Sequence, residues 1–137
     1  MSETYHFFMA MQPPTATHQQ KQVRVVKGKP IFFEPDNVKR ARGKLKDYLA
    51  GHIPDEPFDK ALHVAVKWFF PTDQKQYSDG QWKTTTPDTH NLNKLLFDVM
   101  TDLKYWTDDS IVTSELIQKF WVKTSPPGIY IEIKELE

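Results

Sequence analysis

Cysteine is absent from this 137-residue chain, which excludes disulfides and thiolate metal sites. No run of eighteen apolar residues occurs, so no transmembrane helix and no membrane partner are expected. The opening residues, MSETYHFFMAMQPP, lack the basic start, long apolar stretch and small-residue cleavage site of a secretion signal, and a cytoplasmic location is expected. Repeats and low-complexity tracts are missing as well. Net charge is zero, with 18 basic against 18 acidic residues, which taken alone argues against a nucleic-acid partner. Hydrophobic residues make up 39% of the chain. That is enough for one core, so residues 1–137 are expected to form one domain.

The charge is unevenly spread. Residues 18–46 hold nine basic residues and two acids, a balance of +7 against −7 for the remainder. The basic residues are Lys21, Arg24, Lys27, Lys29, Lys39, Arg40, Arg42, Lys44 and Lys46. They form either a phosphate-binding face or merely the solvated side of one helix and one loop.

Periodicity outlines the elements. Tyr5, Phe7, Met9 and Met11 alternate with His6, Phe8 and Ala10, a strand expected to be buried on both faces and ended by Pro13-Pro14. A polar, basic loop or loose hairpin spans 12–30, with a short strand at Ile31–Phe33. Asp36 or Asn37 is positioned to cap a helix to Ala50, with Val38, Ala41, Leu45, Tyr48 and Leu49 on one face and Gly51 as its stop. Leu62, Val64, Val66, Trp68 and Phe70 alternate with His63, Ala65 and Lys67 in a clear strand. Pro71 to Pro87 reads as a long polar loop of the kind that is functional or mobile. A helix from His90 to Lys104 follows, then strands Ile111–Val122 and Ile129–Ile133 joined at Ser125-Pro126-Pro127-Gly128. The order β-α-β-α-β-β predicts an α+β fold, a mixed sheet with two main helices on one face.

The chemistry is concentrated around the second helix. Asp88, His90, Asn91 and Lys94 stand at its start, Asp98 within it, and Asp108-Asp109 after it. Each has an ordinary alternative. Asp88 could cap the helix, Asp98 could pair with Lys94 at i, i+4, and Asp108-Asp109 could be turn residues. A helix of that length spans roughly 20 Å at about 1.5 Å per residue, so Asp88 and Asp109 cannot meet along it. A returning strand, a shorter helix or a partner subunit would have to bring them together.

The stretch Asp88-Thr89-His90-Asn91-Leu92-Asn93-Lys94, with Asp98 and then Asp108-Asp109, resembles the signature of RusA-type Holliday-junction resolvases. That family carries D-x-D-N-L-x-K-x-x-x-D followed by an Asp-Asp pair. The strand ending in Pro13-Pro14 and the polar loop with Thr15, Thr17 and Gln19-Gln20-Lys21 also match, and the element order agrees over nearly the whole chain. The resemblance implies a RusA-like fold and a homodimeric endonuclease that binds and cuts four-way or similarly branched DNA in recombination and repair. It implies Mg2+ or Mn2+ held by aspartates: Asp88 and Asp109 as ligands, Asp108 assisting, and Lys94 facing the scissile phosphate. His90 stands where the family has a second aspartate. It is expected to ligate the ion with a shift of preference toward Mn2+, to serve as a general base, or to leave the enzyme weak. In the same light Lys21, Arg24, Lys27, Lys29, Lys39 and Arg40 would bind DNA phosphates. Of the aromatic residues near the long loop, Trp82, Tyr77 and Phe69-Phe70, one would wedge into unpaired bases, core packing being the commoner role for Phe70 and surface cover for Tyr77. Two competing readings are a junction-binding relative without cleavage, favoured by His90, and a protein-interaction module whose acids are only caps and turns, favoured by the neutral charge.

Overall fold

The alternating segments pair as one sheet. The computed structural model describes residues 4–17 and 22–137. Strands β1 (Thr4–Met9), β4 (Leu62–Pro71), β5 (Val112–Val122) and β6 (Gly128–Glu135) form a four-stranded sheet in the order β1-β6-β4-β5. Only the β4–β5 pair is parallel. Strands β2 (Gln22–Val26) and β3 (Lys29–Phe33) form a separate hairpin. Helices α1 (Asp36–Leu49) and α2 (Thr89–Asp102) complete an α+β arrangement with the expected order.

Register explains the core. Phe7, Ile131, Val66 and Ile117 lie in one row across the strands, and Met9, Ile129, Trp68 and Lys119 in the next. Because neighbours in a row face the same way, these rows meet Val38, Ala41, Leu45 and Leu49 of α1 and Leu92, Leu95, Leu96 and Val99 of α2 in a single buried cluster. The opposite rows face outward. His6, Phe8 and Ala10 are exposed, so β1 is buried on one face rather than two, as suits an edge strand.

Several local details depart from expectation. Helix α1 is capped by Pro35, whose carbonyl accepts from the amides of Val38 and Lys39 at 3.0 Å, and not by Asp36 or Asn37. Tyr48 is 40% exposed and stays out of the core. Helix α2 ends at Asp102 because Lys104 adopts φ +66° and turns the chain. The amide of Tyr105 then bonds the Met100 carbonyl and that of Lys104 the Thr101 carbonyl, a left-handed helix stop. That turn delivers Tyr105 and Trp106 into the core, both fully buried. The expected loose region before α1 contains a tight hairpin, with Lys27 (φ +51°) and Gly28 (φ +77°) at the turn.

Segment 71–87 is tied to the outer edge of β5. Gly80 N donates to Trp121 O at 2.7 Å, Trp121 N to Gln81 O at 2.7 Å, and Lys83 N to Lys119 O at 3.0 Å. The Asp79 carboxylate accepts from Lys123 N at 2.7 Å and from the Ser125 amide and hydroxyl. These bonds, led by the Lys123 amide, hold its pKa down at about 2. Among the described residues, no helix is long and apolar enough to cross a membrane.

Candidate active site

Asp88 is the N-cap residue of α2 by backbone geometry, yet its side chain makes no capping hydrogen bond. Only its carbonyl serves the helix, accepting from Leu92 N at 3.0 Å. An exposed carboxylate not consumed by the cap, beside a helix N-terminus, is available to a cation. His90 is exposed two residues on, in the first turn of α2. Lys94 follows, its side chain 64% exposed and its ammonium 3.9 Å from Asp98. The i, i+4 reading of Asp98 therefore holds. Asp98 and Asp102 also lie close enough to Arg42 of α1 to raise its pKa, behind the larger effect of Glu34.

Asp108 and Asp109 occupy the other end of the helix. The Asp108 carboxylate accepts from Ser110 N at 3.1 Å and caps the short turn Asp109–Ile111. Its pKa is lowered mainly by that bonding to Ser110. Asp109 is exposed. Two routes measure the gap. Along α2, 14 residues at about 1.5 Å each give about 20 Å. Along β5, Lys119 touches Pro87, next to Asp88, while the strand begins after Asp109 at Val112. Seven residues at about 3.3 Å give about 23 Å. Among the described residues, no three His, Asp or Glu side chains of one chain gather where they could hold an ion.

The basic candidates are dispersed around the hairpin and α1. Lys27 and Lys29 are exposed at the hairpin turn, and Lys39 and Arg40 on the outer side of α1. Lys44 reaches the Gln12 carbonyl at 3.4 Å. Arg42 pairs with Glu34 at 2.8 Å, which removes it from the candidates for a free phosphate contact. Lys21 and the Arg24 side chain lie outside what the structure describes.

Two groups beside the site escaped the sequence reading. Lys83 and Lys119 converge on the backbone just before Asp88, with Lys119 donating to the carbonyls of Thr85 and Pro87 at 2.7 and 2.8 Å. Asn93, 6% exposed, donates to Glu115 of β5 at 3.0 Å, while its own carbonyl oxygen is buried without a partner. The available signal was strand alternation. Glu115, Ile117, Lys119 and Trp121 share the helix side of β5, and a charged residue there demands a partner. The aromatic candidates also resolve. Trp82, 58% exposed, stacks on Phe120, which stacks on Phe69, which meets Phe8. Tyr77 stacks on Trp121, and Phe70 is buried.

Comparison with known proteins supplies the family. The profile of a family described as Endodeoxyribonuclease RusA matches residues 12–134. A protein of Lactococcus phage r1t, the crossover junction endodeoxyribonuclease RusA, is 35% identical over 134 residues. The alignment covers 96% of this chain and 98% of the phage protein.

Proposed function

The chain belongs to the RusA endodeoxyribonuclease family, and from that premise we propose that it is a divalent-metal-dependent endonuclease that resolves four-way DNA junctions as a homodimer. The observation that carries the reading is the Asp88 carboxylate, exposed at the start of α2 and not engaged in capping it, with His90 in the first turn and Lys94 on the next. Hard ions such as Mg2+ and Mn2+ take carboxylate oxygen, and Asp88 and Asp109 fit that donor type. When bound, such an ion activates water and stabilises the departing 3′ oxygen. Lys94, mostly solvent-exposed, sets its ammonium against the scissile phosphate and offsets the charge that grows there. His90 completes the ligand set and shifts preference toward Mn2+. Exposed Lys27, Lys29, Lys39 and Arg40, with Lys21 and Arg24, hold the phosphates of the arms.

The separation of Asp88 from Asp109 favours a site shared between two copies. Strand β5 is an edge strand, and residues 80–83 cover only its second half. A second copy laid antiparallel along the first half, centred on Glu115, sets Val112 opposite Gln118. It then carries its Asp109 level with Trp121, at the end where Asp88 begins. Two such sites related by a twofold axis suit a substrate cut symmetrically on two strands.

The test is cleavage of a synthetic four-way junction with and without Mg2+ or Mn2+, using Asp88→Asn as control. Metal-dependent cutting by wild type alone is expected. If wild type binds the junction but cuts nothing in either metal, His90 has left a binding-only relative. If it does not bind, the DNA reading fails altogether.

A further inference from the structure

Three successive residues lead into Asp88, and each is gripped by a lysine. The Lys83 ammonium donates to the Thr85 hydroxyl at 2.6 Å and the Thr86 carbonyl at 2.8 Å. Lys119, projecting from β5, donates to the carbonyls of Thr85 and Pro87 at 2.7 and 2.8 Å. Lys83 is only 7% exposed and lies 4.0 Å from the centroid of the Trp121 ring. Thr84, Thr85 and Thr86 are themselves exposed and belong to no strand, so the two ammonium groups supply polar partners that a sheet would otherwise give. Covering ammonium groups in this way opposes their charge. Desolvation lowers the pKa of both, Lys119 lowers that of Lys83 further, and the Asp88 carboxylate draws that of Lys119 back up. Holding two like charges over the same short segment, one of them buried, is unfavourable as packing alone, and the groups that compensate it are the backbone before Asp88 and the Asp88 carboxylate.

We propose that Lys119, backed by Lys83, is a positioning residue that clamps the Thr85 and Pro87 carbonyls and thereby aims the Asp88 carboxylate at its ion. The proposal rests on the reading of Asp88 as a metal ligand. Lys119 acts through Asp88 and touches no reacting atom. Its role differs from that of Lys94, whose exposed ammonium faces solvent beside Asp98 and is proposed to meet phosphate itself. Groups that orient a ligand in this way change metal affinity when removed, even where the fold survives.

The experiment compares wild type with Lys119→Met, Lys119→Arg and Lys83→Met by three readouts: Mn2+ titration calorimetry, hydrogen exchange at the amides of Lys83 and Leu92, whose bonds to the Lys119 and Asp88 carbonyls close the two ends of the clamped segment, and metal-free affinity for a four-way junction. Lys119→Met is expected to weaken Mn2+ binding about tenfold and to speed exchange at those amides, with junction affinity unchanged. Lys119→Arg, which keeps two donors, recovers most of the Mn2+ affinity. Lys83→Met shifts both readouts in the same direction and alters Trp121 fluorescence, because it removes the cation over the indole. Faster exchange with unaltered Mn2+ binding in Lys119→Met overturns the proposal, since the clamp would then be only structural. Unaltered exchange overturns it too. Should Lys119→Met not fold, Lys83→Met and Lys119→Arg carry the same comparison. If wild type itself binds no Mn2+, the metal reading of Asp88 fails separately, and amide exchange still decides whether the clamp exists.

Discussion

Gly128 begins β6 where three strands crowd together, and Gly128→Ala measures how tightly. A Cβ at this position falls deep inside van der Waals contact with the Met9 carbonyl oxygen and the tip of the Phe8 ring, and 2.8 Å from Phe8 Cε1. The Phe8 ring is partly exposed and can swing away, giving up its contact with Phe69 at 6.3 Å between centroids. The Met9 carbonyl cannot swing, because Met9 is paired with Ile129 in the β1–β6 ladder. The strands must separate locally. Overpacking of this kind costs about 1–3 kcal/mol, and loss of an aromatic contact about 0.5–1.5 kcal/mol. A total of about 1.5–4.5 kcal/mol is expected. At about 2.1 cal/mol/K per residue, 137 residues unfold with an entropy of about 0.29 kcal/mol/K, so Tm should fall by about 5–15 °C. Thermal unfolding followed by circular dichroism measures it. Repeating the substitution in a Phe8→Ala background separates ring from backbone, and most of the loss should persist. A Gly128→Ala protein melting within about 2 °C of wild type would refute the packing argument.

Two further outcomes are expected. His90→Asp adds a carboxylate where Mg2+ strongly prefers oxygen, so the Mg2+-supported cleavage rate should rise relative to the Mn2+-supported rate. If His90→Asp loses activity in both metals while folded, the imidazole is needed for itself. Asp79 has a folded pKa near 2, below its ordinary value of 3.8. Its contribution to stability is therefore full above about pH 4 and is lost as pH falls toward 2. Acid unfolding of Asp79→Asn should show less dependence on pH across that window, and an unchanged pH profile would contradict the role given to its hydrogen bonds.

The sequence revealed what local spacing controls. The stripe Val38, Ala41, Leu45 and Leu49, the alternation through β4 and the position of α2 could all be read in advance, because a buried face repeats with the period of its element. What escaped depends on contacts between distant residues. Segment 71–87 read as a long polar loop, since nothing local shows that Asp79 will meet Lys123 and Ser125. The burial of Tyr105-Trp106 was not visible between the expected helix and strand, since the left-handed turn at Lys104 uses a lysine where glycine is the usual marker. In the site, the residue types around Asp88 and Asp109 were legible from the motif. The distance between them was legible only as a constraint of helix length. Lys119 was legible only as a charge on the helix side of β5, and Lys83 not at all, because their partners are backbone carbonyls that carry no sequence signal.

The most direct test of the account is junction cleavage by a mixture of two inactive proteins. Asp88→Asn and Asp109→Asn are each expected to abolish metal-dependent cutting of a four-way junction. Unfolded together and refolded, half of the dimers contain one chain of each kind. If one copy supplies Asp88 and the other Asp109, each mixed dimer regains one intact site, and nicking returns at about a quarter of the wild-type number of sites. If wild type cuts while the mixture stays inactive, both carboxylates belong to a site within one chain and the shared-site account is wrong.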